Sequence, residues 1–281
     1  MNLFTLANDH LDCAINFLGA ELSSLKRRDG HEYMWDGDPA YWSGRAPILF
    51  PIVGALAGGA YRWEGREVRL EKHGFARRRM FALVERDDDS ATLRLVSDAG
   101  TRAIYPFEFE LDMGFSLTTA LTVNATVRNR GDGPMPFSFG FHPALRWPLD
   151  GPASLSFDKP ESGPVWRIDA DGLVARHEPL AGDGRSLLLE EGLFADDAMI
   201  LLGTASRGVR FEHAEGSVRM EWSNLPDLAL WKKPGAAFLC IEPWAGHSDP
   251  AGFSGDLSDK PGIVLLAPGT AWSASMTIEP A

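Results

Sequence analysis

The segment FEFELDMGFSL, Phe107 to Leu117, sets Phe107, Phe109, Leu111, Met113, Phe115 and Leu117 on one parity and Glu108, Glu110, Asp112, Gly114 and Ser116 on the other. A strict period of two is the signature of a half-buried β-strand, because successive side chains leave a pleated backbone on opposite faces. Downstream, LTVNATVRNR repeats the pattern, with Leu121, Val123, Ala125 and Val127 on its apolar parity. RGDG supplies a turn, and MPFSFGFHP follows, so three successive antiparallel strands are expected. Working outward, ELSSLKRR-DG-HEYMW, YRW-EG-REVRL and FALVER-DDDS-ATLRLV pair short runs around Gly or Asp turns and read as hairpins. Helical periodicity is scarce, and its best candidate is SLLLEEGLF, Ser186 to Phe194.

The reading is therefore an all-β chain whose strands pack as two facing sheets, with a sugar-sized groove on the concave outer face of one. No linker, charge block or fixed-period repeat divides the 281 residues, so one domain, 1–281, is expected and propellers and solenoids are disfavoured. Lys plus Arg is 27 and Asp plus Glu is 39, a net charge of −12 that argues against a nucleic-acid partner. No window approaches the roughly 18 apolar residues of a membrane span, and MNLFTLANDHLDC has neither a basic leader nor an uninterrupted apolar run. Cys13 and Cys240 are the only cysteines and neither has a CxxC partner, which fits a cytosolic, reducing compartment.

Histidine exchanges protons near neutral pH, which directs attention to the seven histidines. His10, His31, His177 and His213 sit among charged or turn residues and read as surface. His73, in KHGFAR, adjoins Gly74, which permits close approach of another group, and His142 ends the apolar strand of FSFGFHPAL. Glu242, in FLCIEPWAG, lies between an apolar strand and Pro243-Trp244, where desolvation makes a carboxylate a stronger proton acceptor. Trp231, Trp244 and Trp42 can present flat faces to the C–H side of a sugar, although tryptophans in a β protein commonly belong to the core. Arg45, in SGRAPILFP, can bond vicinal hydroxyls through its fork of donors, or serve as an ordinary surface cation. Asp197, in LFADDAMIL, reads equally as a loop or cap residue, and Arg77, Arg78 and Arg79 form a dense basic spot that could meet a phosphate or line a solvated edge. Two histidines and a carboxylate also suggest a metal triad, but His73, His142 and Glu242 lack the HxH or HxxxH spacing that such β-barrel sites use. No metal and no cofactor are expected.

GRAPILFPIVG, KHGFAR, FGFHPALRWPL, LFADDAMIL and LALWKKPGAAFLCIEPWAG, in that order, resemble the aldose 1-epimerases, or galactose mutarotases, most closely their LacX-like bacterial branch. The likeness runs from about residue 15 to the last strand, GTAWSASMTIEP. It implies a galactose mutarotase-like β-sandwich, or supersandwich, of antiparallel sheets. It also implies Glu242 as catalytic base, His142 as catalytic acid and His73 as a second active-site histidine that binds and polarises the sugar. Arg45 and Asp197 match its substrate-binding residues, Asp197 being preferred to Asp196 because it directly precedes Ala198-Met199-Ile200. The implied reaction opens a hemiacetal and recloses it as the other anomer, with a small-molecule sugar as substrate and neither nucleic acid nor membrane as partner. The HGFAR segment is also similar to hexose-6-phosphate epimerases, whereas FGFHPAL favours a free aldose. A sugar-binding domain without catalysis and a metal-dependent β-barrel enzyme are the competing classes.

Overall fold

The computed structural model describes residues 3–281. The single domain expected over 1–281 thus includes Met1 and Asn2, which lie outside the described residues. The larger of two main sheets has nine strands, in the order Ser186–Leu189, Ala153–Phe157, Gly208–His213, Gly216–Ser223, Ala271–Pro280, Leu121–Asn129, Phe109–Leu117, Ser90–Val96 and Ala82–Arg86. The second runs from Val174–Glu178 through Val165–Ile168, Met199–Leu201, Asp227–Trp231, Phe238–Ala245 and Phe139–Phe141 to Ile48–Leu49, and Ala144–Arg146 also pairs with Phe238–Ala245. Every ladder in both sheets is antiparallel.

Leu111, Phe115, Val123 and Val127 are all buried, as the alternation requires. They belong to a core cluster that joins both sheets, with Leu228, Leu230, Leu239 and Ile241 supplied from the opposite side. At about 25 cal/mol per Å² of apolar area removed from water, this inter-sheet layer dominates the stabilisation. The ring contact of Phe50 with Phe109, at 5.1 Å, is one stitch across it.

Two expectations are corrected. MPFSFGF does not continue the meander, because Leu121–Asn129 takes Ala271–Pro280 as its second neighbour. Met135–Phe137 instead pairs with Val264–Leu266, and Phe139–Phe141 crosses to the second sheet. The reason lies in its composition: Met135 to Phe141 is buried on both parities, so it passes through the interior rather than along a half-solvated face. SLLLEEGLF is not an α-helix. Ser186–Leu189 is an edge strand with Leu187 and Leu189 buried and Leu188 exposed, and only Glu191–Phe194 coils, as a 3-10 turn. The described α-helix is a single turn, Ala99–Arg102, closed by a reciprocal cap between Asp98 and Thr101.

The alternation of Phe238–Ala245 positions the site. Leu239 and Ile241 enter the core, while Phe238, Cys240, Glu242 and Trp244 emerge on the outer face of the second sheet. Loops carrying Trp42 and Lys72 to Arg77 fold over that face and roof it.

Candidate active site

On this face lies a cavity of about 260 Å³, lined by Trp42, Gly54, Lys72, His73, Arg77, His142, Ile168, Asp197, Ala198, Ile200, Trp231, Glu242, Trp244 and Ser248. Strand pairing explains the convergence of residues far apart in sequence. Gly140 stands opposite Trp244 and Ala144 opposite Cys240, so His142 lies level with Glu242 on the neighbouring strand segment. His142 Nε2 and Glu242 Oε2 are 3.2 Å apart. Their contact is not aligned as a hydrogen bond, and Glu242 Oε2 and His142 Nδ1 are buried without a hydrogen-bond partner. Two orphaned polar atoms on a cavity floor are costly for folding alone and point to a ligand that satisfies them.

Burial sets the protonation of this pair. Glu242 is 1% exposed, and desolvation pushes its carboxyl well above the ordinary carboxylate range, against the opposing charge of Lys72. Desolvation lowers the His142 imidazole to about 3, aided by the positive charges of Lys72 and Arg77 and opposed by its own backbone carbonyl. Desolvation thus favours the protonated carboxyl at Glu242 and the neutral imidazole at His142. Moving that proton to His142 leaves the net charge unchanged, so the pair can become carboxylate and imidazolium without importing a counter-ion.

His73 is held differently. The Gly54 N–H donates to His73 Nδ1 at 3.0 Å, and the His73 N–H donates to the Gly54 carbonyl at 2.9 Å. Because Nδ1 accepts, the ring proton resides on Nε2, which makes His73 a hydrogen-bond donor. Burial, and then the neighbouring His142, Lys72 and Arg77, lower its pKa well below the ordinary value and keep it neutral. This geometry needs a left-handed backbone at His73, with φ of 66°, followed by Gly74 with φ of 68°.

The structure thus brings His73, His142, Asp197, Trp231 and Glu242 to one cavity. Asp197 has φ of 67° and accepts the Ala198 N–H at 2.7 Å, whereas the adjacent Asp196 pairs with Arg176 at 2.7 Å on the surface. Trp42 stacks on His142 at 5.1 Å and meets Trp231 edge-on at 5.4 Å, which gives the cavity an aromatic wall. Arg45 is not among the lining residues. Its guanidinium bonds the Asp36 carbonyl, and its backbone N–H donates to Glu21 at 2.8 Å. The cations that do line the cavity are Lys72 and Arg77, the latter donating to the Lys72 carbonyl at 2.9 Å. Lys72 and Ser248 went unnoticed in the sequence; adjacency to His73 was a usable signal for Lys72, and GHSDP after the Glu242 strand was one for Ser248. A neighbouring cavity of about 840 Å³, floored by Leu56, Leu70, Phe75 and Ile104, is larger but is lined by no histidine.

The family model for aldose 1-epimerase matches residues 2–279. Protein LacX, chromosomal, of Lactococcus lactis subsp. lactis is 33% identical over 281 residues, covering 94% of each chain. The uncharacterized protein YphB of Escherichia coli K12 is 25% identical over 264 residues, covering 82% of this chain and 81% of that one. Among solved structures, a galactose mutarotase-like protein from Lactobacillus casei superposes with a TM-score of 0.93 at 29% identity, over 99% of this chain and 100% of that one. A galactose mutarotase related enzyme from Lactobacillus acidophilus gives 0.92 at 28% identity, over 99% and 97%. The two antiparallel sheets are those of the galactose mutarotase-like fold, and the chain belongs to the aldose 1-epimerase family.

Proposed function

We propose that this protein is an aldose 1-epimerase of the LacX-like branch, interconverting the α and β anomers of a free hexose or related aldose in the cytosol. The observation that carries the reading is the His142–Glu242 pair, 3.2 Å apart on a cavity floor, each with an unsatisfied polar atom. Ring opening must take a proton from the anomeric hydroxyl and deliver one to the ring oxygen. Sugar hydroxyls that donate to Glu242 favour its carboxylate form, and the displaced proton passes to His142. Glu242 then serves as base at O1 and His142 as acid at O5, and reclosure reverses the roles. Each positioned group contributes roughly 10²- to 10⁴-fold. The Nε2–H of His73 donates to the sugar and polarises it, Asp197 accepts from its hydroxyls, and Trp231 with Trp42 packs against its C–H face. The chain's own acid and base balance the protons of the reaction. A cytosolic setting agrees with Cys13 and Cys240, both buried and unpaired.

A second reading, a phosphorylated aldose, is favoured by Lys72 and Arg77 on the cavity wall. Polarimetry with freshly dissolved α-D-glucose, α-D-galactose and glucose 6-phosphate tests both. The wild type should accelerate mutarotation over the spontaneous rate, and Glu242→Gln should lower kcat by about 10²- to 10⁴-fold while sugar binding persists. Sugar binding by the wild type without acceleration of any free or phosphorylated aldose would make it a non-catalytic sugar-binding domain.

A further inference from the structure

Although no HxH or HxxxH spacing exists in the chain, Cys240 and Glu242 are two residues apart on one strand and share its outer face. His142 joins them from the adjacent strand segment, where Ala144 pairs with Cys240. One ligand atom from each of the three, all buried, lies within 4.8 Å of the other two. In tetrahedral zinc sites, bonds of about 2.0–2.3 Å place ligand atoms about 3.3–3.6 Å apart. The nitrogen and the carboxylate oxygen already stand 3.2 Å apart, so the thiol sulfur is the atom that has to close in. Both Glu242 Oε2 and His142 Nδ1 lack hydrogen-bond partners, so at least the carboxylate oxygen is free to ligate.

We propose that His142, Cys240 and Glu242 form an inhibitory site for a thiophilic divalent cation, of which Zn²⁺ is the type. A thiolate selects such ions over Mg²⁺ or Ca²⁺. Binding releases the proton of the Cys240 thiol to the buffer, and with Cys240 as thiolate, Glu242 as carboxylate and His142 neutral the site with its ion is electrically neutral. Neutrality is what a buried position requires, since an uncompensated charge there is costly. The fourth position is left to water or to a sugar hydroxyl. His142 Nδ1 has no second partner to orient the ring, in contrast to resident zinc sites, so the ion is exchangeable. An ion held this way occupies both groups of the acid–base pair and excludes turnover; only that consequence rests on the epimerase reading.

Co²⁺ provides a test independent of catalysis. Titration of the wild type should give one ion per chain with a thiolate-to-cobalt charge-transfer band in the near ultraviolet. Calorimetry with Zn²⁺ in buffers of different ionisation enthalpy should report release of the Cys240 thiol proton on binding. Loss of an outer-sphere partner alone weakens metal sites by about 10- to 100-fold, so Cys240→Ala should lose at least that much Zn²⁺ affinity and the band together. Cys13→Ala, in the strand Leu11–Asn16, should change neither. Glu242→Gln provides a second ligand variant, which should also weaken Zn²⁺ binding. In mutarotation assays Zn²⁺ should inhibit the wild type, with chelator restoring the rate. Absence of stoichiometric binding, a Co²⁺ complex without the charge-transfer band, or equal affinity in folded Cys240→Ala would overturn the site. A Co²⁺ band in a protein that never accelerates mutarotation would keep the site and remove only its inhibitory role.

Discussion

Replacing Gly74 with alanine should cost the fold about 2–5 kcal/mol and displace His73 with it. The magnitude has two parts. Gly74 has φ of 68°, a left-handed conformation that penalises a side chain by roughly 1–2 kcal/mol. In addition, a methyl group there would be driven into the Phe50 carbonyl, 2.6 Å from its carbon and 2.7 Å from Pro51 N. Phe50 O accepts from Phe75 N at 3.0 Å and from Ala76 N at 3.1 Å, so the backbone cannot yield without loosening those bonds. Forced backbone shifts of this kind add about 1–3 kcal/mol. Gly65 supplies the control, because its φ is 74° but an added methyl meets nothing within 4 Å. Urea unfolding of the two variants separates the terms: Gly65→Ala should lose only about 1–2 kcal/mol, and Gly74→Ala more. Calorimetric sugar binding should weaken in Gly74→Ala alone, since His73 is its neighbour. Equal destabilisation of the two variants would refute the close approach of Phe50 and Gly74 that holds the His73 loop.

Asp249→Asn should destabilise by about 3–5 kcal/mol, because it leaves Lys260, 2% exposed and bonded to Asp249 at 2.6 Å, as an unpaired buried charge. Adding Lys260→Met should recover much of that loss in denaturant titrations. The pH profile of kcat/KM should be a broad bell, with the acid limb well below the ordinary histidine value of 6.5, because the pair remains competent until His142, held near 3, takes up an extra proton. Its alkaline limb should lie well above 4.5, where the raised Glu242 carboxyl releases the shared proton. An acid limb centred at 6.5 in progress-curve polarimetry would contradict the buried pair. Stability should follow the same shift: the unfolded chain protonates His142 near 6.5 and the native state only near 3, so His142 contributes stability above 6.5 that is lost as pH falls through about 3. His142→Asn should flatten that part of a urea-stability profile.

Alternation in Phe109–Leu117 and Leu121–Asn129 determined by itself that these segments are strands and which parity enters the core, because the pleat gives each parity one face; that Glu110 and Asp112 on the other parity are buried as well was decided by Arg94 and Arg128, which pair with them from the neighbouring strands. Turn chemistry likewise announced the Glu64-Gly65 hairpin between Ala60–Trp63 and Arg66–Arg69. The destination of Met135 to Phe141 was not legible, since a run apolar on both parities states that it is interior but not which ladder receives it. Leu187, Leu188 and Leu189 looked helical for a related reason: a short apolar run has no decisive period until a partner, here Ala153–Phe157, fixes its register.

At the site, the local motifs carried His73, His142 and Glu242, but side-chain direction belonged to the tertiary structure. Arg77, Arg78 and Arg79 looked like one basic spot, yet Arg77 lines the cavity, Arg78 pairs with Glu71 and Arg79 lies over the Phe75 ring. Arg45 turns to Asp36, and Asp197 separates from Asp196 through a left-handed φ. Cys240 became a neighbour of His142 only through the Ala144–Cys240 pairing. Periodicity reports burial, a local free energy that each segment carries in its own residues. Which groups meet across 100 positions of chain depends on ladder register and loop dihedrals, and those are decided by contacts that no single segment contains.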